Sequence, residues 1–202
     1  MKVSNANDED RDLQDASPQQ LVITARRRDA TGATAFAELI RRFEKLALAL
    51  AYSTLGDAAL AADVTQDALI RAWQRLEELN EPQRFGAWLG RIVRNLALDA
   101  RRSQPRGEIR GSIDEFDPPH MCDPSRDAEE QEMSQRIDKA LATLDEQTRC
   151  AVVLRYYENL SSRQIGEILD ISPAAVDMRL SRARNDLKEK LAWADPATNG
   201  TH

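Results

Sequence analysis

Long apolar runs are missing from this 202-residue chain. A helix that crosses a membrane needs about 20 consecutive apolar residues, and no stretch approaches that length. The opening MKVSNANDEDRD also lacks the apolar centre of a signal peptide. From these absences the expectation is a cytoplasmic protein with no membrane insertion. Only two cysteines are present, Cys122 and Cys150, so no disulfide framework is available. Cys150 stands in an apolar run and reads as a small core residue. Histidine is equally scarce: His120 and the last residue, His202. His120-Met121-Cys122 lacks the second ligand pair that a zinc site needs. No glycine-rich phosphate loop follows a strand, and no nucleophile–base pair is visible. The expectation is a protein with no metal, no cofactor and no catalytic residue, hence not an enzyme.

Glycine is sparse too, with eight in the chain, and the apolar repeats are helical throughout. The sequence therefore predicts an all-α fold. Net charge is −6, which at first argues against a nucleic-acid partner. Its distribution reverses that inference: residues 1–24 carry −3 and residues 104–132 carry −6, whereas residues 25–103 carry +3 and residues 133–191 carry +1. The acid is concentrated in segments with little to bury, and phosphate binding depends on local charge.

The helical pattern falls into two blocks. Residues 1–16 are polar and acidic and read as a disordered tail. Ser17-Pro18, with Gln20 in capping-box position, starts a helix running to about Arg28. From Thr34, Phe36, Leu39, Ile40, Phe43, Ala47 and Leu50 trace one face of a long helix that Gly56 ends. Asp57 caps a third helix, Ala58 to about Leu79, burying Leu60, Val64, Leu69, Trp73 and Leu76. Asn80-Glu81-Pro82 breaks the chain, and a fourth helix follows with Phe85, Trp88, Leu89, Ile92 and Leu96 inside. The first block thus spans residues 17–103. Residues 104–131 have the proline, glycine and acid of a flexible linker. Periodicity returns over 132–192, and 193–202 read as a tail.

The second block ends in SSRQIGEILDISPAAVDMRLSRARNDLKEKL, Ser161 to Leu191. Ser161 and Gln164 form a capping box, Asp170-Ile171-Ser172 is the turn, and Pro173 occupies the first position of the next helix. Val176, Leu180, Ala183 and Leu187 give that helix an inward stripe, leaving Arg179, Arg182 and Arg184 off it or at its edge. This is the pattern of a helix-turn-helix whose second helix enters a major groove. An ordinary αα-hairpin fits the same spacing.

Two polar faces lie in the first block. Asp63, Gln66, Asp67 and Ile70 are spaced i, i+3, i+4, i+7 and form an outward face; spacing alone equally fits a solvated surface. Arg91, Arg94, Asn95 and Asp99 fall away from the buried stripe, with Arg101 and Arg102 beyond. Arginines offer fork-shaped donors to phosphate, and Asn can pair with a base edge. Phe85 and Trp88 are either stacking platforms for unpaired bases or core aromatics.

Three stretches in this order resemble the extracytoplasmic-function class of the sigma-70 family of RNA polymerase sigma factors. They are Ala62-Asp63-Val64-Thr65-Gln66-Asp67-Ala68 with Arg71-Ala72-Trp73, Phe85 through Asp99, and the helix-turn-helix closing on Arg179-Leu180-Ser181-Arg182-Ala183-Arg184. The resemblance covers about Ala35 to Leu191. It implies two helical domains, region 2 and region 4, and a chain that directs core polymerase to promoters. By that resemblance Asp63, Gln66, Asp67 and Ile70 match the face that binds the β′ clamp helices. The Leu79–Arg84 loop, Asn80 foremost with Arg84 at its end, matches the segment that captures a base flipped from the −10 strand. Trp88, Arg91, Asn95, Arg101 and Arg102 match the surface following the melted strand. Ala174, Asp177, Met178, Ser181 and Arg182 match the −35 contacts, with Arg163 and Arg179 beside them, and region 4 also meets the β flap. An anti-sigma factor is implied by the class. Asp177 departs from the family, where a basic residue is usual, and is expected either to alter −35 preference or to weaken DNA affinity. Asp170 replaces the usual glycine of the turn. The rival reading is a dimeric helix-turn-helix regulator that binds operator DNA without polymerase.

Overall fold

The computed structural model describes residues 13–103, 137, 139–156 and 159–192. Helices in order are α1 (Pro18–Ala25), α2 (Ala30–Leu55), α3 (Ala58–Gln74), α4 (Phe85–Ser103), α5 (Glu146–Tyr156), α6 (Ser162–Leu169) and α7 (Pro173–Ala192). Two 3-10 turns, Leu76–Glu78 and Pro82–Arg84, connect α3 to α4. The fold is all-α in two helical modules, residues 13–103 and 139–192. The 104–131 linker, the 193–202 tail, His120-Met121-Cys122 and residues 1–12 of the acidic tail lie outside the described residues.

Local chemistry sets most helix ends. Ser17 accepts from the Gln20 backbone N–H while the Gln20 side chain accepts from the Ser17 N–H, so α1 starts on a complete capping box. Asp29 and Asp57 cap α2 and α3 through the N–H groups of Gly32 and Leu60, at 2.8 and 2.9 Å. Gly56 ends α2 in the left-handed region. The expected tail ends earlier than the composition suggests. Residues 13–15 are helical, and Arg42 donates to the carbonyls of Leu13, Gln14 and Ala16.

Arg42 is itself set by Glu38, which is 8 % exposed and also receives two hydrogen bonds from Arg41 at 2.7 Å. Arg41's hydrogen bonds dominate over the opposing effect of burial and, with Arg42, lower the Glu38 carboxyl to about 2.

The first module packs α2 against α3 and α4. Leu39, Leu46 and Leu50 meet Phe85, Leu89 and Val93, while Ala61, Ala68 and Ala72 let α3 approach closely. Phe85 is the aromatic hub, with ring centroids 6.5, 5.2 and 6.0 Å from Phe36, Phe43 and Trp88. The second module packs α5, α6 and α7 through Leu154, Ile165, Ile168, Leu169, Val176, Leu180 and Ala183.

The modules share one continuous core. Cys150 of α5 is fully buried with its Sγ 3.0 Å from the Ser53 hydroxyl at the end of α2. Arg149 donates to the Ser53 carbonyl at 2.8 Å. Across α4, a Cβ added at Gly90 would stand 3.0 Å from Ile168 of α6, so glycine permits this close approach.

Candidate nucleic-acid interface

The expected helix from Ala58 to Leu79 stops at Gln74, and the turn that follows it is held from 50 residues away in sequence. Arg26 at the end of α1 reaches into the following turn and donates to the carbonyls of Leu76 and Leu79. The Leu76 carbonyl also accepts from the Leu79 N–H at 3.4 Å, so the guanidinium holds a tightened 3-10 turn in place of the expected further α-helical turn, while Leu76 and Leu79 themselves are buried. Asn80 follows immediately and is exposed. The clamp therefore presents Asn80 outward, directly after the anchored Leu76–Leu79 turn.

Along α3, Asp63, Gln66, Asp67 and Ile70 are all exposed on one face, and Ile70 is 55 % exposed. Among the described residues the three polar side chains make no hydrogen bond or ion pair. Ile70 borders a shallow apolar groove with Phe36, Ile40, Leu69 and Trp73. Trp73 is half-buried and carries Arg28 over its ring at 4.2 Å.

Along α4 the expected strand-following residues divide. Arg91 and Asn95 are exposed and make no hydrogen bond or ion pair among the described residues. Trp88 is half-buried against Phe85, so it is both core aromatic and partly open ring. Arg102 bonds Asp99 at 3.2 Å on the same helix. Arg84 pairs with Glu81 at 3.2 Å and with Glu167 of α6 at 3.6 Å. Arg101 bonds Glu146 of α5 at 3.2 Å and the Thr54 carbonyl at 3.4 Å. Glu146 also faces Arg94 at 4.0 Å. Thus Arg84 and Arg101 are held by acids of the second module.

The helix-turn-helix forms as its residues dictate. Ser161 and Gln164 complete the capping box of α6, and Asp170 takes the left-handed conformation (φ 57°, ψ 48°). The expected turn is therefore intact with aspartate in place of glycine. Gly166 lies under the turn, where an added Cβ would meet the Ile171 carbonyl at 2.5 Å. Ser172 accepts from the Ala175 N–H at 3.2 Å to start α7. Ala174, Asp177, Met178, Ser181 and Arg182 are exposed together on the outer face of α7.

Arg179 differs. Its guanidinium turns onto the start of α5, bonding Gln147 at 2.7 Å and Asp145 and Thr148 at 3.3 Å. In this arrangement it joins α7 to α5 instead of projecting from the reading face. Arg163 is exposed and bonds Glu167 at 3.4 Å. Sequence reasoning did not single out Arg26, Glu146 or Gly90, whose roles depend on partners distant in the chain.

Residues 39–107 match the family model of sigma-70 region 2, and residues 134–187 match that of sigma-70 region 4. SigL of Mycobacterium tuberculosis, an extracytoplasmic-function RNA polymerase sigma factor, is 34 % identical over 139 residues, covering 66 % of this chain and 75 % of that protein. The chain belongs to the extracytoplasmic-function class of the sigma-70 family. Members of this class are regulatory proteins without catalytic activity of their own. The probable sigma factor RfaY of Xanthomonas campestris is 33 % identical over 161 residues, which cover 78 % of this sigma factor and 40 % of RfaY's length. Among solved structures, the sigma factor RpoE of Bartonella quintana, in complex with the anti-sigma factor NepR, aligns with a TM-score of 0.61 at 27 % identity. That alignment covers 78 % of this chain and 96 % of RpoE. Among the described residues, no helix is long and apolar enough to cross a membrane and no group of three or more His, Cys, Asp or Glu could hold a metal ion.

Proposed function

We propose that this chain binds core RNA polymerase and directs it to a restricted promoter set from the cytoplasm. Residues 17–103 act as region 2 and residues 132–192 as region 4. The observation that carries this reading is the order of the two family matches, region 2 before region 4. The open faces found on α3 and α7 support it. The α3 face of Asp63, Gln66, Asp67 and Ile70 meets the β′ clamp helices. Asn80 on its clamped loop receives a base flipped from the −10 strand, and its capture offsets the few kcal/mol that extrusion costs. Arg84 closes that loop, and Trp88, Arg91, Asn95, Arg101 and Arg102 follow the melted strand. The α7 face reads the −35 major groove with Arg163 alongside, Arg179 supports that helix from behind, and region 4 also meets the β flap. Because RpoE was solved with the anti-sigma factor NepR, an anti-sigma factor is the proposed regulatory partner here.

The packed arrangement is a resting form. Glu146 and Glu167 occupy Arg101 and Arg84, so these ion pairs must exchange for DNA phosphate when the modules separate to span −10 and −35. Charge reversal of the α3 face tests the polymerase contact. Asp63→Arg with Asp67→Arg is expected to abolish co-elution with core polymerase while leaving the helical content unchanged. Unaltered co-elution would overturn the assignment of that face.

A further inference from the structure

Asp177 is the residue on α7 that fits a DNA-reading surface least, because an uncompensated carboxylate repels phosphate. The structure surrounds it with two groups from other helices. Ser162, the first residue of α6, donates its hydroxyl to Asp177 Oδ1. Arg155, in the last turn of α5, donates through Nη2 to the Ser162 hydroxyl oxygen and lies 3.9 Å from Asp177 Oδ1. The direction of this relay is fixed chemically. Arginine can only donate and an ionised carboxylate can only accept, so the single hydroxyl proton of Ser162 must point to Asp177. One carboxylate oxygen is thereby occupied, and Oδ2 has no hydrogen-bond partner among the described residues. The side chain is still 66 % exposed, beside Ala174, Met178 and Ser181.

We propose that Arg155 and Ser162 are positioning residues that convert Asp177 from a repulsive charge into a reader of one base at the −35 element. Arg155 offsets the charge toward the backbone phosphates, and Ser162 sets the rotation of the carboxylate. The oxygen left open is an acceptor on a major-groove helix, and the base edge that presents a donor to such an acceptor is the cytosine N4 amino group. This inference rests on the proposed role of α7 as the −35 reader and adds two residues outside α7 to its specificity.

The test is selection from a promoter library randomised over the −35 element, transcribed by core polymerase with the full chain. For the unaltered chain, a cytosine-bearing pair is expected to be preferred at one position. Asp177→Ala is expected to reduce that preference by about tenfold, the order of a single mismatch. Ser162→Ala and Arg155→Gln are expected to weaken the same position and no other, and Ser162→Thr, which keeps the hydroxyl, to restore it. A uniform loss across all positions would mark a merely structural role and overturn the inference. Loss with Asp177→Ala but no change with Ser162→Ala or Arg155→Gln would overturn the relay and leave the −35 reading standing. Failure of the unaltered chain to support any promoter-selective transcription would overturn the functional reading, and the relay with it.

Discussion

Gly90→Leu is the substitution that separates the packing of the modules from the folding of either one. Gly90 is inside α4, so replacing it favours the helix itself by roughly 1 kcal/mol. The added side chain enters occupied space. Its Cβ alone would lie 3.0 Å from both Cγ1 and Cδ1 of Ile168 and 3.2 Å from Cγ2, and three further carbons have no room. Cγ1 and Cγ2 branch directly from Cβ, so the Ile168 side chain cannot clear the site by moving only its tip. Overpacking of this kind costs about 1–3 kcal/mol, and here it falls on the contact between α4 and α6. The resting form should open by about fivefold to about a hundredfold more.

Cys150 reports the opening. The side chains facing its sulfur, Ser53 and Thr54, belong to the first module, so separation uncovers it. In the packed form burial is the main influence and pushes the Cys150 thiol above its ordinary value, which suppresses the reactive thiolate. In a Cys122→Ser background, thiol labelling of Gly90→Leu should be faster by that same factor at unchanged helical content. Equal labelling rates for Gly90 and Gly90→Leu would refute the packed arrangement as the resting form.

Other consequences are more local. Arg26→Ala removes the donor to the Leu76 and Leu79 carbonyls and should destabilise the first module by about 1.5–3 kcal/mol, the range for a hydrogen bond to a charged group. With the Asn80 loop released, permanganate footprints of the melted −10 region should weaken while binding to core polymerase persists; an unchanged footprint would remove the clamp from the mechanism. Glu38 has a folded-state carboxyl held at about 2, below its ordinary 4.5. Its stabilising contribution is therefore full above about 4.5 and lost as pH falls toward 2. Thermal melts of Glu38→Gln should lie below those of the unaltered chain at neutral pH, with the gap closing through that window; a pH-independent gap would assign the effect to packing instead.

Much of the architecture was legible because its causes are local. The capping boxes at Ser17 and Ser161, the left-handed end at Gly56 and the Asp170 turn each depend on residues within a few positions. The outer faces of α3 and α7 followed from helical spacing for the same reason. What periodicity could not show was long-range capture of polar groups. Arg26 holds the turn after the third helix from across the module, and Arg179, placed by spacing off the inward stripe or at its edge, is drawn to the acceptors at the start of α5. Arg94 falls off the apolar stripe of α4, yet it is covered because Glu146 arrives from the second module. The cysteine read as a core residue is buried, but its sulfur faces the other module.

Run-off transcription on a promoter library with purified core polymerase tests the central claim most directly. With the chain present, initiation should be confined to promoters carrying one −35 and one −10 element at a fixed spacing. Asn80→Ala should impair melting and Asp177→Ala should change the −35 choice. Promoter-selective initiation that is equally strong without the chain, or tight sequence-specific binding of the chain to duplex DNA with no effect on initiation, would contradict the account.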